Sequence, residues 1–338
     1  MEHKYMVCTL CYTYNQSSYI GDTLQGMVIQ KTDFPVVYVI DDDASTDGEQ
    51  LVLQEWANKQ FILDVPVEET EYGEIIRGCS KFNSNAFFVF LLLKENHYQT
   101  VKTQLKEEYI KEWELSSKYI AFCEGDDYWV DPLKLQKQVS YLEANPDYGL
   151  VYTNHYNKEG DCITQYKEKG YTSFDDIVLF GGIGTLTACL RMDLYQKYYE
   201  EINPRNKNWK MGDAPLWKYI SYNSKIKFIP DYTAVYRILP TSASHFKDFE
   251  KEIAFIESGY NIQCFFIDKY VDNKTKHDSL MTIVNKNRIN AIYGILYTNR
   301  KTDRLMEFMK DKWSVLDIKT RALYYLRYIL LSLKGAKE

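Results

Sequence analysis

Short apolar runs alternate with stretches of helical spacing through the first sixty residues. Tyr5 to Cys11 is a nearly continuous apolar run of strand length, the pattern of a strand covered on both faces. Tyr14 to Ser18 is turn chemistry of the kind that caps a helix. Tyr19 to Ile29 follows, with apolar residues at Ile20, Leu24, Met27 and Val28, a spacing that places them on one helical face. Pro35 precedes a second strand, Val36 to Ile40. A polar turn over Asp41 to Gly48 and a second helix over Gln50 to Lys59 come next. Strand, helix, strand, helix predicts parallel pairing with crossover helices, because parallel neighbours need a long connection.

The segment from Ile62 to Lys118 is less decisive. Ala86 to Leu93 is apolar throughout, which suits a buried strand or a buried helix equally. Val101 to Leu115 reads as a solvated helix. Tyr119 to Cys123 is a further strand, and Pro132 starts a helix that runs to Leu142. Strands are expected at Gly149 to Thr153, Gly184 to Arg191, Ile226 to Ile229 and Thr233 to Ile238, and a short helix at Asp213 to Ser221. From about Phe249 the pattern is helical to the end.

Length and charge narrow the class. A chain of 338 residues with 45% hydrophobic and 26% charged residues has ample material for a core. The net charge of −6 argues against a general nucleic-acid binder. That figure conceals an asymmetry. From Lys286 onward there are 12 basic and 5 acidic residues, so the body is acidic and the tail basic. Seven cysteines in a long chain read as reduced thiols, and Cys8 and Cys11 as buried ones rather than half a metal site. No signal-peptide pattern opens the chain, and no apolar stretch approaches a membrane span. A cytoplasmic protein is expected.

Two acidic clusters follow two of these strands. Asp41-Asp42-Asp43-Ala44-Ser45-Thr46-Asp47 follows the second, and Glu124-Gly125-Asp126-Asp127 follows the strand over Tyr119 to Cys123. In parallel α/β sheets, ligands bind beyond the carboxyl ends of the strands. Crowded carboxylates repel one another unless a cation joins them. Hard oxygen donors suit Mg²⁺ or Mn²⁺, ions that hold phosphates with one or two protein carboxylates.

With those motifs the chain resembles the family-2 glycosyltransferases of GT-A fold, over roughly Met6 to Ser244. The resemblance is carried by Thr13-Tyr14-Asn15, Asp42-Asp43-Ala44-Ser45-Thr46-Asp47-Gly48, Glu124-Gly125-Asp126-Asp127-Tyr128-Trp129 with Asp131-Pro132 and Leu135, Gly184-Thr185-Leu186-Thr187, and Gly212-Asp213, in that order. It implies an α/β GT-A fold, a Rossmann-like and mostly parallel sheet flanked by helices. Residues 1–245 would form the catalytic domain and 246–338 a helical, basic extension. It further implies an inverting transfer of sugar from a nucleotide-diphosphate donor, expected to be a UDP-sugar, to a hydroxyl of a glycan or lipid-linked glycan in bacterial surface polysaccharide synthesis. By the same resemblance Tyr12, Thr13, Tyr14, Asp43 and Asp126 bind the nucleotide, and Asp127 holds the Mg²⁺ or Mn²⁺. Asp213 is the catalytic base, Trp129 and Thr185 line the sugar and acceptor side, and Arg237 is a candidate diphosphate contact. Asp42 is read as loop support. His245 is read as a surface histidine, with phosphate binding as its alternative.

The middle of the chain departs from that family. Arg77-Gly78-Cys79-Ser80-Lys81-Phe82-Asn83 stands where an Ala-Arg-Asn-like motif is expected, and Lys94 to Lys118 reads as an extension. A nucleotidyltransferase is the first alternative, but the first loop has neither the glycines nor the basic residues that a triphosphate needs. The second is an inactive scaffold of the same fold, against which all metal and base positions remain acidic. The tail carries a third expectation. Ala322 to Leu333 is strongly apolar, interrupted by Arg327. It reads either as a helix packed on the protein or as one lying on an anionic membrane, with Arg321, Arg327 and Lys334 at headgroup level.

Overall fold

The computed structural model describes residues 3–63, 66–98, 103–240, 248–312, 316 and 318–335, without the side chains of 103–107, 206 and 331–335. His245 lies outside the described residues. The chain divides into two compact units. The first comprises 1–173, 182–202 and 220–239, and the second 174–181, 203–219 and 240–338.

The first unit is a mixed α/β layer structure built on one sheet. Its strands are β1 (Tyr5–Thr13), β2 (Val36–Asp42), β3 (Phe61–Leu63), β4 (Glu68–Glu69), β5 (Gly73–Ser80), β6 (Ala86–Leu93), β7 (Ser117–Phe122), β8 (Tyr128–Trp129), β9 (Tyr148–Glu159), β10 (Cys162–Tyr166), β11 (Cys189–Arg191) and β12 (Lys225–Arg237). The order across the sheet is β3-β5-β6-β2-β1-β7-β11-β9-β12-β8. At its centre β6, β2, β1 and β7 are parallel. Their carboxyl ends therefore share one edge. The crossover helices α1 (Ile20–Val28) and α2 (Glu49–Gln60) follow β1 and β2, as the sequence period predicts. Helices α3 (Thr103–Leu115), α4 (Lys134–Ala144) and α6 (Met192–Ile202) complete the unit.

Burial explains the central strands. All seven residues of β2 are buried, and so are seven of the eight in β6. Continuous apolar runs are what a strand covered on both faces requires. Ala86 to Leu93 is thus a strand. Cys8 and Cys11 on β1 are both buried, and all seven cysteines are free.

Three expected strands take other forms. Gly184 to Arg191 is a 3₁₀ turn over Thr185–Thr187 followed by the short β11. The Thr187 hydroxyl donates to the Gly184 carbonyl at 2.6 Å, closing that turn. The two strands expected between Ile226 and Ile238 are one, β12, which pairs with β9 through register shifts around Tyr232. Pro230 and Asp231 interrupt the apolar pattern without ending the strand.

The second unit is helical. It contains α5 (Phe174–Phe180), most of α7 (Asp213–Asn223), α8 (Phe249–Tyr270), α9 (Lys274–Thr298), α10 (Thr302–Lys312) and α11 (Ile318–Gly335). Asp248 and Asn273 cap α8 and α9, accepting from the main-chain N–H of Glu250 and Lys276. Its core joins Ile289, Ile292, Tyr293 and Leu296 of α9 to Leu305 and Met309 of α10, Leu316, and Tyr324 of α11. Among the described residues, no helix is long and apolar enough to cross a membrane.

Candidate active site

The loops that follow β1 and β2 are joined by one carboxylate. Glu49, the first residue of α2, is fully buried. It accepts from the Thr13 hydroxyl, from the Gln16 main-chain N–H at 2.7 Å and from the Ser45 hydroxyl at 3.0 Å. Burial pushes its pKa up, against the pull of those donors. Further bonds close the seam. Asn15 N–H donates to Ser45 at 2.8 Å, and Thr46 N–H donates to the Asn15 side chain at 2.7 Å. Asp47 accepts from Ser17 N–H at 2.9 Å and from Glu49 N–H at 3.1 Å. The polar run between Asp42 and Gly48 is therefore not free surface. It is the partner of Thr13 to Ser17.

Asp42 holds its own loop, accepting from Ser45 N–H at 3.0 Å and from the Gln50 amide at 2.6 Å. Asp43 reaches the other way. It accepts from the main-chain N–H of His97 at 2.8 Å and of Tyr98 at 3.1 Å, so it fastens the segment that follows β6. Ala44, next in the chain, has φ of 62°, in the left-handed region that disfavours a Cβ. Ala44→Gly is expected to raise stability by about 0.5–1 kcal/mol, net of the extra freedom of glycine in the unfolded chain. A melting curve no higher than that of the wild type would contradict this.

The acidic loop after β7 is held from three sides. A Cβ on Gly125 would lie 2.3 Å from the Thr13 hydroxyl oxygen, so only glycine allows this loop to meet the one after β1. The Thr23 hydroxyl of α1 bonds the carbonyls of Gly125 at 2.9 Å and Asp127 at 2.6 Å. Arg237 of β12 donates its main-chain N–H to Asp127 at 2.8 Å and its guanidinium to the Asp126 carbonyl and the Asp22 carboxylate. The rings of Tyr19 and Tyr128 lie 5.1 and 4.5 Å from that guanidinium. Arg237, read as a diphosphate contact, is thus engaged in fixing the acidic loop.

Asp127 is 3% exposed. Burial, and then the charges of Glu124 and Asp126, push its pKa well above the usual carboxylate range. Burial also raises that of Asp126, with Arg237 opposing. A divalent cation would reverse the sign of both effects. Among the described residues no group of three or more His, Cys, Asp or Glu could hold a metal ion by itself. One or two carboxylates beside water and phosphate oxygens are the donor set that Mg²⁺ and Mn²⁺ take.

The remaining candidates are placed as follows. Thr13 is buried under Glu49, Tyr12 is half-buried, and Tyr14 is exposed. Trp129 requires a correction. It is 1% exposed, its indole N–H donates to the Leu186 carbonyl at 2.9 Å, and Lys134 Nζ lies 4.3 Å from its ring. It is a core residue and presents no face to a sugar. Thr185, half-buried, opens the 3₁₀ turn. Below that turn His155 Nδ1 lies 3.6 Å from Glu168, which takes the Gly184 N–H. Burial drives the two apart from their ordinary values, His155 down to about 4 and Glu168 up to about 7.

Asp213 belongs to the second unit. It is exposed at the start of α7, and its Oδ1 accepts from the N–H of the next residue, Ala214, at 2.7 Å. Lys218, five residues on, is buried. Burial lowers its pKa to about 8, with the Asp213 charge opposing. Glu49, Thr23 and Asp22 escaped the sequence reading. An acidic residue in the first turn of a helix was the only signal at Glu49, and it does not disclose a bond to another loop.

Comparison with known proteins supports the fold. No family model matches the chain. Solved structures of Staphylococcus aureus TarS residues 1–349 superpose on it. The complex with UDP-GlcNAc gives a TM-score of 0.54 at 16% identity, covering 89% of this chain and 83% of that one. The complex with UDP gives 0.53 at 15%, covering 95% and 86%. At that identity the likeness establishes the α/β fold and no more. Uncharacterised proteins of Mycobacterium tuberculosis and Mycobacterium bovis are 35% identical over 136 residues, 40% of this chain. The chain spans only 31% of the length of those relatives.

Proposed function

We propose that this chain is a metal-dependent glycosyltransferase that moves a sugar from a nucleotide-diphosphate donor to a hydroxyl acceptor. The observation that carries the reading is the row of loops at the carboxyl ends of β6, β2, β1 and β7. Hydrogen bonds fasten each loop to its neighbour, and the row ends in a carboxylate loop whose charges repel. The TarS complexes with UDP and UDP-GlcNAc, on the same fold, favour a UDP-sugar as the donor.

In this reading Tyr12, Thr13, Tyr14 and Asp43 bind the nucleoside, Asp126 the ribose, and Asp127 the Mg²⁺ or Mn²⁺. The ion supplies a positive charge against the negative charge that develops on the departing diphosphate. Arg237, Thr23 and Glu49 keep those loops in place before the donor arrives, which lowers the ordering cost of binding. Asp213 accepts the proton of the attacking hydroxyl, and one base with one displacement inverts the anomeric carbon. Thr185 belongs to the acceptor side. The acceptor is a glycan or lipid-linked glycan of a bacterial surface polysaccharide, met at the inner face of the membrane.

A thermal-shift series of nucleotide sugars with Mn²⁺ tests this. A UDP-sugar at about 100 times its Kd is expected to add about 2.7 kcal/mol of stability, a rise of roughly 4 °C. If neither UDP- nor GDP-sugars shift the transition, with or without Mn²⁺, the proposal is wrong.

A further inference from the structure

Helix α11 turns its apolar side outward. Ile318 is 82% exposed and Leu326 55%, and Leu323, Tyr325, Ile329 and Leu330 are exposed with them. At the helical repeat these six fall within one arc of about 160°. The opposite side docks on the protein. Tyr324 stacks on Tyr293 of α9 with ring centres 3.5 Å apart, and Arg321 Nε donates to the Leu316 carbonyl at 2.7 Å. The usual rule for a surface helix, apolar side inward, is therefore inverted. A contiguous apolar surface left in water marks an interaction site. The helix also contains Lys319, Arg321, Arg327 and Lys334 but no Asp or Glu. Lys319 stands within the apolar arc, and Arg327 about 40° beyond it with its guanidinium 5.8 Å from the Tyr297 ring of α9, both exposed.

We propose that this face of α11 seats in the headgroup layer of an anionic lipid bilayer, with Lys319 and Arg327 among the lipid phosphates. The apolar arc enters the acyl boundary while the basic residues stay at the charged surface. The helix is too short and too charged to span, which leaves lying in the interface. A second copy of the chain is the weaker fit. A two-fold contact through α11 sets its cations against their own copies, and the helix offers no carboxylate to answer them. This inference goes beyond the transferase reading and is independent of the donor chemistry.

Flotation of the full-length protein tests it, with vesicles of phosphatidylcholine alone and with added phosphatidylglycerol. Binding is expected only with phosphatidylglycerol, and should weaken as salt shortens the screening length. The double variant Leu326→Ser, Leu330→Ser should lose about tenfold or more in partitioning. Arg327→Gln should lose about fivefold, while melting temperatures stay close to that of the wild type. Equal binding to neutral vesicles overturns the role of charge. Unchanged flotation of the double variant overturns the assigned face. No flotation, with a concentration-dependent dimer that the double variant dissolves, assigns the face to a second copy instead.

Discussion

Asp127→Asn is expected to raise the melting temperature of the ligand-free protein and to abolish its stabilisation by a UDP-sugar with Mn²⁺. The two halves have one cause. Asp127 is a buried carboxylate with Glu124 and Asp126 beside it, and burial and those charges outweigh the opposing pull of Arg237. An amide removes one of those charges. It keeps the acceptor that Arg237 N–H needs at 2.8 Å, so the loop stays pinned. Each kcal/mol relieved is worth about 1–2 °C in a protein of this size. The same amide is a poor ligand for a hard cation. Paired melting curves with and without UDP-sugar and Mn²⁺ read both effects. A variant that melts higher yet still responds fully to Mn²⁺ would place the metal ligand elsewhere.

Asp213→Asn is expected to lower kcat by about 10²–10⁴-fold while leaving donor affinity unchanged. The substitution is mild in structure, because the Asn side-chain oxygen can accept from Ala214 N–H as the carboxylate does at 2.7 Å. That bond thus survives and basicity does not. The separation matters, since an aspartate that only steadies the start of α7 and a catalytic one look alike. An unchanged turnover would move the base elsewhere. Turnover against a sugar-accepting glycan, with donor binding by titration, decides between them.

Much of this fold is legible in the sequence where one physical rule acts alone. The first two helices follow from their periods because each crosses between burial and solvent at regular steps, and the first two strands from short apolar runs bounded by turn residues. Ala86 to Leu93 has no period, so its strand character depends on neighbours on both sides. The hairpin of β9 and β10 is hidden for the opposite reason. Cys162 to Tyr166 is exposed throughout and carries no apolar signal. In the candidate site, carboxylate type and order are visible, but direction is not. Asp42, Asp43 and Glu49 read alike on paper. Yet Asp42 turns to its own loop, Asp43 to His97 and Tyr98, and Glu49 to the loop after β1. Trp129 was misplaced by the same limit, because an indole suits a sugar face and a core equally until its N–H finds Leu186.

The second unit draws its residues from three separated stretches of chain, the last of which is the longest. During synthesis from the N-terminus, α5 and the α7 start bearing Asp213 leave the ribosome well before most of their partners exist. The Gln263 amide of α8, which binds the Val178 carbonyl at 2.7 Å, is made some eighty residues later. The sheet of the first unit can close early, since its central strands lie within the first 122 residues. The helical unit has to wait until α8 to α11 have been made. A nascent chain would thus carry a finished sheet and an unfinished helical unit for much of its synthesis. A chain that ends within α8, α9 or α10 is then expected to misassemble.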